Sequence, residues 1–309
     1  MYEQSTKVYF MNAHKSGFVN IVGNPNVGKS TLMNALVGEK MSIITSKPQT
    51  TRHRILGLLN DDHYQIVFSD TPGIIDKPLY GMQSAMNKFA WSSFEDADVV
   101  LFVTDIFEKY SGDENIIKVL NETGKPKYLI INKIDLDNAN IVETLATEWL
   151  QRVTFDQVFF ISASEKTNTQ TLFDKILDNL PEGPPYYPKD ELSDKSERFF
   201  ASEIIREKLL LQYKQEVPYS CEVSISRFKE EEKNGAPMLL IYADIYVDRK
   251  TQKPIIIGKG GEAIKKLGIA ARIELETFFG KHTYLDLNVK IKENWRNDER
   301  MLKHFGYQE

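Results

Sequence analysis

The sequence GNPNVGKS at residues 23–30 has the spacing of a phosphate-binding loop, and it lies between an apolar run and a helical pattern, as this motif requires. Glycines let backbone N–H groups approach phosphate, Lys29 would neutralise the β and γ phosphates, and the Ser30 hydroxyl would bind Mg²⁺. The sequence therefore predicts a nucleoside triphosphate site. The predicted contacts of this loop are Gly23, Asn24, Pro25, Asn26, Val27, Gly28, Lys29, Ser30 and Thr31.

Two further segments would complete the phosphate and metal site. At the end of the third predicted strand, Asp70 can reach the metal and the Gly73 backbone N–H can reach the γ-phosphate. Thr51 lies in the polar segment 42–54, which could close over the γ-phosphate or be an ordinary helix-to-strand loop. The remaining predicted nucleotide contacts here are Thr71, Pro72 and Ile74. The predicted catalytic residues are Lys29, Thr51 and Gly73, and the predicted metal ligands are Ser30, Thr51 and Asp70.

The segment Asn132-Lys133-Ile134-Asp135 follows a later apolar strand and would select the base. The Asp135 carboxylate can accept from guanine N1–H and N2, which adenine cannot match, so we expect GTP and GDP rather than ATP. Asn132 would tie the base to the phosphate loop, and the Lys133 stem would cover the guanine face. Ser162-Ala163-Ser164 would place the Ala163 N–H on guanine O6, and Ser162 and Ser164 are included in the predicted site.

A second motif, of a different kind, lies near the end of the chain. The net charge is −5, but residues 249–266 carry six lysines and arginines against a single glutamate. A local positive patch of this kind attracts phosphate backbones. A glycine-rich loop within it could clamp single-stranded RNA, or could be a helix–helix turn. The predicted RNA contacts are Ile257, Gly258, Lys259, Gly260, Gly261, Lys265 and Lys266.

Apolar strands must alternate with helices to bring the nucleotide motifs together. Between residues 17 and 180 the chain has this rhythm, which predicts an α/β, doubly wound, mainly parallel sheet with its ligand site at the carboxyl ends of the strands. Four prolines within residues 181–188 predict a linker, and the chain beyond has the order α-β-β-α-α-β of a smaller α+β domain. We expect an extension at 1–14, a nucleotide domain at 15–181, a linker at 182–195 and an RNA domain with a tail at 196–309.

The composition excludes several classes of protein. The length of 309 residues suits about two domains, and no apolar run approaches the roughly 18 residues of a membrane span. No signal-peptide layout is present and Cys221 is the only cysteine, so we expect a cytoplasmic protein. Cys221 reads as a small buried hydrophobe rather than a catalytic thiol. Trp295, Arg296 and the tail at 298–307 could add stacking on RNA or simple packing.

Taken together, these motifs resemble the Era family of GTPases, in which a G domain of the translation-factor class precedes a type II KH domain, and the likeness covers nearly the whole chain. The resemblance implies binding of single-stranded RNA near the 3′ end of small-subunit ribosomal RNA, and a role in small-subunit maturation. It also implies peripheral association with the inner face of the cell membrane. Relatives with an apolar residue at the position after Gly73 often use K⁺, which Asn26 would partly hold here, although Asn26 could instead only shape the loop. We expect a monomer.

Ile74 follows Gly73 where Ras-like enzymes carry a glutamine that orients the attacking water. An alkyl group cannot hold water, so intrinsic GTP hydrolysis should be slow. Two alternatives to a GTPase switch stay open: an RNA-binding assembly factor gated by nucleotide with negligible turnover, and a GTPase of the membrane surface.

Overall fold

The computed structural model describes residues 14–108, 114–137, 141–233 and 235–308. Within these ranges, no helix is both long and apolar enough to cross a membrane. The strands of the first domain are β1 Lys15–Val22, β2 Ile55–Asn60, β3 Tyr64–Asp70, β4 Val99–Asp105, β5 Lys127–Asn132 and β6 Gln157–Phe160. Its helices are α1 Lys29–Val37, α2 Gly81–Ser92, α3 Glu114–Glu122, α4 Val142–Leu150 and α5 Thr169–Asn179.

The six strands form one sheet in the order β2-β3-β1-β4-β5-β6, and only β2 runs antiparallel to its neighbour. Separate cores lie on its two faces: α1 and α5 cover one, and α2 and α4 contribute to the other. Because both faces are covered, central strands such as β4 are buried at every residue. The predicted doubly wound, mainly parallel sheet is confirmed, and its carboxyl edge carries the predicted nucleotide motifs.

The proline-rich segment runs along the β2 edge of this sheet. The Leu58 N–H donates to the Leu192 carbonyl (2.9 Å), and the Gln65 side chain donates to the Tyr187 carbonyl (2.8 Å). No helix or strand lies between Leu180 and Ser196. The linker therefore packs on the first domain, and the division at 182–195 stays a prediction.

The second domain follows the predicted order α-β-β-α-α-β. Its elements are α6 Glu197–Gln212, β7 Cys221–Lys233, β8 Ala236–Val247, α7 Gln252–Ile257, α8 Glu262–Phe279, β9 His282–Ile291 and the C-terminal α9 Glu299–His304. In the sheet, β8 lies between antiparallel β7 and parallel β9. The apolar faces of α6 and α8 pack on this sheet and form the core of the domain.

Candidate functional site

The phosphate loop is locked against the base segment by close packing. It connects β1 to α1, and Gly28 adopts φ +99°, a conformation that favours glycine. A Cβ on Gly28 would lie 2.2 Å from the Asn132 amide nitrogen. That amide donates to the Val27 carbonyl (2.9 Å), and the Asn132 side-chain oxygen accepts from the Ala163 N–H (3.0 Å). Asn132 thus joins the base segment, the phosphate loop and the segment at 162–164.

Lys29 places a buried ammonium in the centre of the loop. Its Nζ donates to the carbonyls of Gly23 (3.0 Å) and Asn24 (2.7 Å). Burial lowers the pKa of Lys29 to about 8, against the opposing charges of Asp70 and Glu108. Because a buried cation is costly to desolvate, a polyphosphate bound at this loop would stabilise the charged form.

Three side-chain oxygens from separate segments converge beside the loop. Ser30 Oγ lies 2.8 Å from Thr51 Oγ1 and donates to Asp70 Oδ2 (2.6 Å), and Thr51 Oγ1 lies 3.3 Å from the same carboxylate oxygen. The second oxygen of Asp70 is buried and has no hydrogen-bond partner in the part of the chain that the structure describes, and burial raises the pKa of this carboxyl. Two hydroxyls and a carboxylate are hard oxygen donors that suit Mg²⁺, so the predicted metal ligands fit this ion.

Some residues of the segment 70–74 face the phosphate loop, and others anchor the segment to the sheet and the core. Gly73 packs so closely on the loop that a Cβ there would lie 2.6 Å from the Pro25 nitrogen. The Thr71 hydroxyl donates to the Ile21 carbonyl (2.9 Å), and the Ile74 side chain is buried in the core near α2. The Ile74 side chain therefore anchors the segment and does not belong to the site.

A cavity of about 280 Å³ lies beside the phosphate loop. It is lined by that loop, residues 43–46, residues 49–51, Gly73 and Lys133, and the Ile74 side chain is not part of its lining.

Lys133 links the base segment to the phosphate loop. Its Nζ donates to the Asn26 carbonyl (2.8 Å), ion-pairs with Asp105 and lies 5.8 Å from the centre of the Phe107 ring. Asp135 is exposed in the short turn that follows. In the structure the Ala163 N–H donates to Asn132, so its contact with guanine O6 stays a prediction.

Two site neighbours escaped the sequence reasoning. The Glu108 carboxylate accepts from the Asn24 amide and the Thr104 hydroxyl, and Asp105 holds Lys133. Asp105 is the last residue of β4 and Glu108 follows it. In the sheet, β4 lies between β1, which leads into the phosphate loop, and β5, which leads into the base segment. Position at the carboxyl end of β4 was the available signal. Asn26, the candidate K⁺ ligand, directs its side-chain amide to the Ser46 carbonyl (3.2 Å).

The glycine-rich loop of the second domain exposes its backbone. It joins α7 to α8, and all three of its glycines have positive φ. A Cβ at Gly260 or Gly261 would meet nothing within 4 Å, so another backbone could approach closely. Lys259, between Gly258 and Gly260, is exposed. Ile257 is half-buried against the core of the domain.

A groove between α8 and β9 continues from this loop. It encloses about 320 Å³ and is lined by Ile264, Lys265, Gly268, Ile269, Arg272, Leu285 and Leu287. Lys265 therefore faces the groove, whereas Lys266 is exposed outside its lining. The sequence reasoning missed Arg272, although the spacing of residues 265, 268, 269 and 272 is that of one helix face. A second hollow, of about 530 Å³, lies farther along β9 and is lined by Tyr246, Lys253, residues 288–292, Met301 and His304.

The fold and these sites define a P-loop nucleotide-binding domain joined to a KH-type domain. A family described as 50S ribosome-binding GTPase matches residues 18–133, and the KH domain family matches residues 216–296. GTPase Era of Alkaliphilus metalliredigens (strain QYMF) is 43% identical over 297 residues, which cover 96% of this chain and 100% of that protein. The chain belongs to the Era family of GTPases.

Further relatives agree over nearly the whole chain. The chloroplastic GTPase ERA-like protein of Arabidopsis thaliana is 44% identical over 299 residues, covering 95% of this chain and 69% of that protein. The crystal structure of a tyrosine-to-alanine variant of Aquifex aeolicus Era bound to GDP·AlF4⁻ has a TM-score of 0.90 at 42% identity. Era in complex with MgGDPNP and nucleotides 1506–1542 of 16S ribosomal RNA also has a TM-score of 0.90, at 41% identity. Both structures cover 96% of this chain, which in turn covers 100% of theirs.

Proposed function

We propose that this chain binds and hydrolyses GTP, and that its nucleotide state controls binding to single-stranded RNA near the 3′ end of small-subunit ribosomal RNA during subunit assembly. The observation that carries this proposal is the convergence of Ser30, Thr51 and Asp70 beside a phosphate loop that encloses Lys29. The family relatives named as GTPases and the Era complex with 16S ribosomal RNA support it.

In this proposal the predicted nucleotide residues divide into three roles. The phosphate loop binds the α and β phosphates through its N–H groups, Lys29 contacts the β and γ phosphates, and the Gly73 N–H contacts the γ-phosphate. The second role belongs to Asn132, Lys133, Asp135 and the 162–164 segment, which hold the guanine. Ser30, Thr51 and Asp70 hold Mg²⁺, which when bound neutralises charge that develops on the phosphates.

Calorimetry tests the nucleotide assignment. We expect heat of binding with GTP and GDP in the presence of Mg²⁺ and none with ATP, because only guanine offers Asp135 two donors. No heat with guanine nucleotides, or equal heat with ATP, would refute the site.

The rate of hydrolysis tests enzyme against gated binder. The buried Ile74 side chain offers the attacking water nothing, so the proposed intrinsic rate is slow. Single-turnover hydrolysis should be measured with K⁺ or Na⁺, and with or without an RNA of the 16S 3′ sequence. Acceleration by K⁺ would support Asn26 as its ligand, whereas no turnover under any condition would favour the nucleotide-gated binder.

For the RNA domain, we propose that the loop at 257–261 clamps the RNA backbone and that bases enter the groove beside it. Lys259, Lys265 and Lys266 are the proposed phosphate contacts, and the groove position of Arg272 adds a fourth. Replacing Lys259 and Gly260 together by aspartate should abolish RNA binding and leave GTP affinity unchanged. Equal RNA affinity in this variant would rule out the clamp.

The domain division at 15–181 and 196–309, a monomeric state, the cytoplasmic location and peripheral membrane association stay predictions. Sedimentation with liposomes at physiological salt separates the last of these from an RNA-only role. Pelleting of the chain with liposomes would favour the membrane-surface alternative.

A further inference from the structure

The residue after Thr51 is buried inside the second domain. The Arg52 side chain is fully buried, and its guanidinium donates to the Cys221 carbonyl (2.7 Å) and the Tyr219 carbonyl (3.1 Å). It also forms an ion pair with Glu222 at 3.1 Å. A predicted metal ligand and an anchor in the RNA domain are thus adjacent in the chain.

Glu222 is held in place by the C-terminal tail. It is 4% exposed, and the Tyr307 hydroxyl donates to its Oε2 (2.5 Å). Although burial opposes it, the neighbouring Arg52 holds the pKa of Glu222 below its usual range, so this carboxylate is charged at neutral pH. The Tyr307 ring stacks on His53, with 4.5 Å between the ring centres. The charge of Arg52 is therefore matched by a carboxylate whose position depends on the tail.

Other contacts fix the same segment from its N-terminal side. Arg206 of α6 donates to the Thr50 carbonyl (2.5 Å), and Lys47 donates to the carbonyls of Leu210 and Tyr213 at the end of that helix. Contacts with the second domain therefore occur immediately before and immediately after Thr51.

The tail also packs on α2, the helix that follows the Gly73 segment. Trp295, Leu302 and Tyr307 share one buried cluster with Met82 and Met86. Of the two roles that the sequence left open for Trp295, stacking on RNA or packing, the structure shows packing. The Trp295 ring is fully buried and its N–H donates to the Ser220 carbonyl (2.9 Å).

These contacts make two positions interdependent. Arg52 follows Thr51 directly in the chain, so a movement of Thr51 away from Ser30 would pull on the ion pair between Arg52 and Glu222, its only carboxylate partner among the described residues. Breaking a buried ion pair by separating its members is costly, because a charge is left uncompensated. A ligand that holds Thr51 beside Ser30 and Asp70 therefore also favours the arrangement in which the second domain packs on residues 47–53.

We propose that Glu222 of the RNA domain is a positioning residue for GTP: acting through Arg52, it holds Thr51 beside Ser30 and Asp70. This inference rests on the proposed function, and it names the contact through which the γ-phosphate and the RNA domain affect each other. The proposal includes that RNA binds the second domain in this same packed arrangement, and linkage then requires the contact to raise RNA affinity in the GTP state as well.

The test compares Glu222→Gln with the wild-type full-length chain. The amide keeps the size of the side chain and removes its charge. Affinities for GDP and for a non-hydrolysable GTP analogue are measured with Mg²⁺ and with EDTA. Since switch segments are ordered by the γ-phosphate and its metal, we expect about a tenfold loss for the GTP analogue with Mg²⁺. GDP affinity should stay the same, and the difference between the proteins should vanish in EDTA.

A second readout is RNA affinity in each nucleotide state. Wild type should bind a 16S 3′ RNA more tightly with the GTP analogue than with GDP, and Glu222→Gln should bring this ratio close to one. Arg52→Met also removes the hydrogen bonds to the Cys221 and Tyr219 carbonyls. The double variant with Glu222→Gln should therefore lose more than Glu222→Gln alone, but less than the sum of the two single variants, because both single variants break the shared ion pair. If Glu222→Gln does not fold, Tyr307→Phe removes only the hydroxyl that holds the carboxylate, and it should give a smaller loss in the same direction.

The matched control is Glu274→Gln, which removes another carboxylate that pairs across the domains. Glu274 pairs with Lys40 at 2.6 Å and with Lys208 at 3.0 Å, and neither partner belongs to residues 50–54. It should leave both affinity ratios as in wild type. The positioning role is refuted if Glu222→Gln and Tyr307→Phe keep the wild-type preference for the GTP analogue, or weaken GDP and the GTP analogue equally. If wild type itself binds no GTP, the proposed function fails instead.

Discussion

At the scale of single residues, the proposed selection of guanine depends on an exposed carboxylate. Asp135 lies in the turn after β5. Asp135→Asn replaces two acceptor oxygens by one acceptor and one N–H donor, which matches xanthine because xanthine has a carbonyl where guanine has its N2 amine. We expect GTP affinity to fall by about 100-fold, which corresponds to the loss of charged hydrogen bonds, while xanthosine triphosphate gains affinity.

Competition calorimetry with the two nucleotides measures this exchange. Asp174→Asn, the same substitution at an exposed position on α5, is the control and should bind GTP as wild type does. Unchanged GTP affinity in Asp135→Asn would remove Asp135 from the site.

Cys221 also has a testable chemistry. Its side chain is buried at the start of β7, and burial raises the pKa of the thiol to about 12. Only the thiolate attacks disulfide reagents, and almost none is present at pH 8. We expect no reaction with Ellman's reagent in the folded protein and one thiol per chain in guanidinium chloride. Rapid reaction without denaturant would show that β7 opens readily.

At the scale of elements, α8 presents different faces to the core and to the groove. Leu267, Ala271 and Leu275 are buried in the domain, while Lys265 and Arg272 line the groove. Arg272→Glu should weaken RNA binding by about tenfold or more, since it replaces a proposed phosphate contact by a repulsive charge.

Lys266→Glu makes the same change in sign on the same helix but outside the groove lining. Filter binding of the two variants to the 16S 3′ RNA should show a clearly smaller loss for Lys266→Glu. Equal losses would mean that the whole helix surface attracts RNA and that the groove has no special part.

At the scale of the whole molecule, an acidic protein is expected to bind RNA. The net charge is −5, yet basic residues concentrate near the loop at 257–261 and along the groove. Each phosphate contact releases counterions, so RNA affinity should fall steeply between about 50 and 200 mM NaCl.

Gel-shift titrations at several NaCl concentrations measure this slope, and the Lys259→Asp, Gly260→Asp variant should flatten it. A slope of zero in wild type would show that charge does not drive binding. That outcome would leave base stacking in the groove as the source of affinity.

The amino-acid sequence by itself determined the elements and motifs whose logic is local. The phosphate loop, the guanine segment and the glycine-rich loop are each read from neighbouring residues, and the α-β-β-α-α-β order is read from periodicity. Strand ends in a parallel sheet meet at one edge, so even the convergence of Ser30 with Asp70 was predictable.

Only the tertiary structure decided what the remaining charged residues do. Arg52 and Glu222 are 170 positions apart, and nothing in their local sequence distinguishes a buried ion pair from two solvated side chains. The choice of Arg272 over Lys266 for the groove depends on how α8 is rotated against β9. The reason is physical: burial and pairing arise from packing between distant segments, and such contacts impose no spacing on the chain.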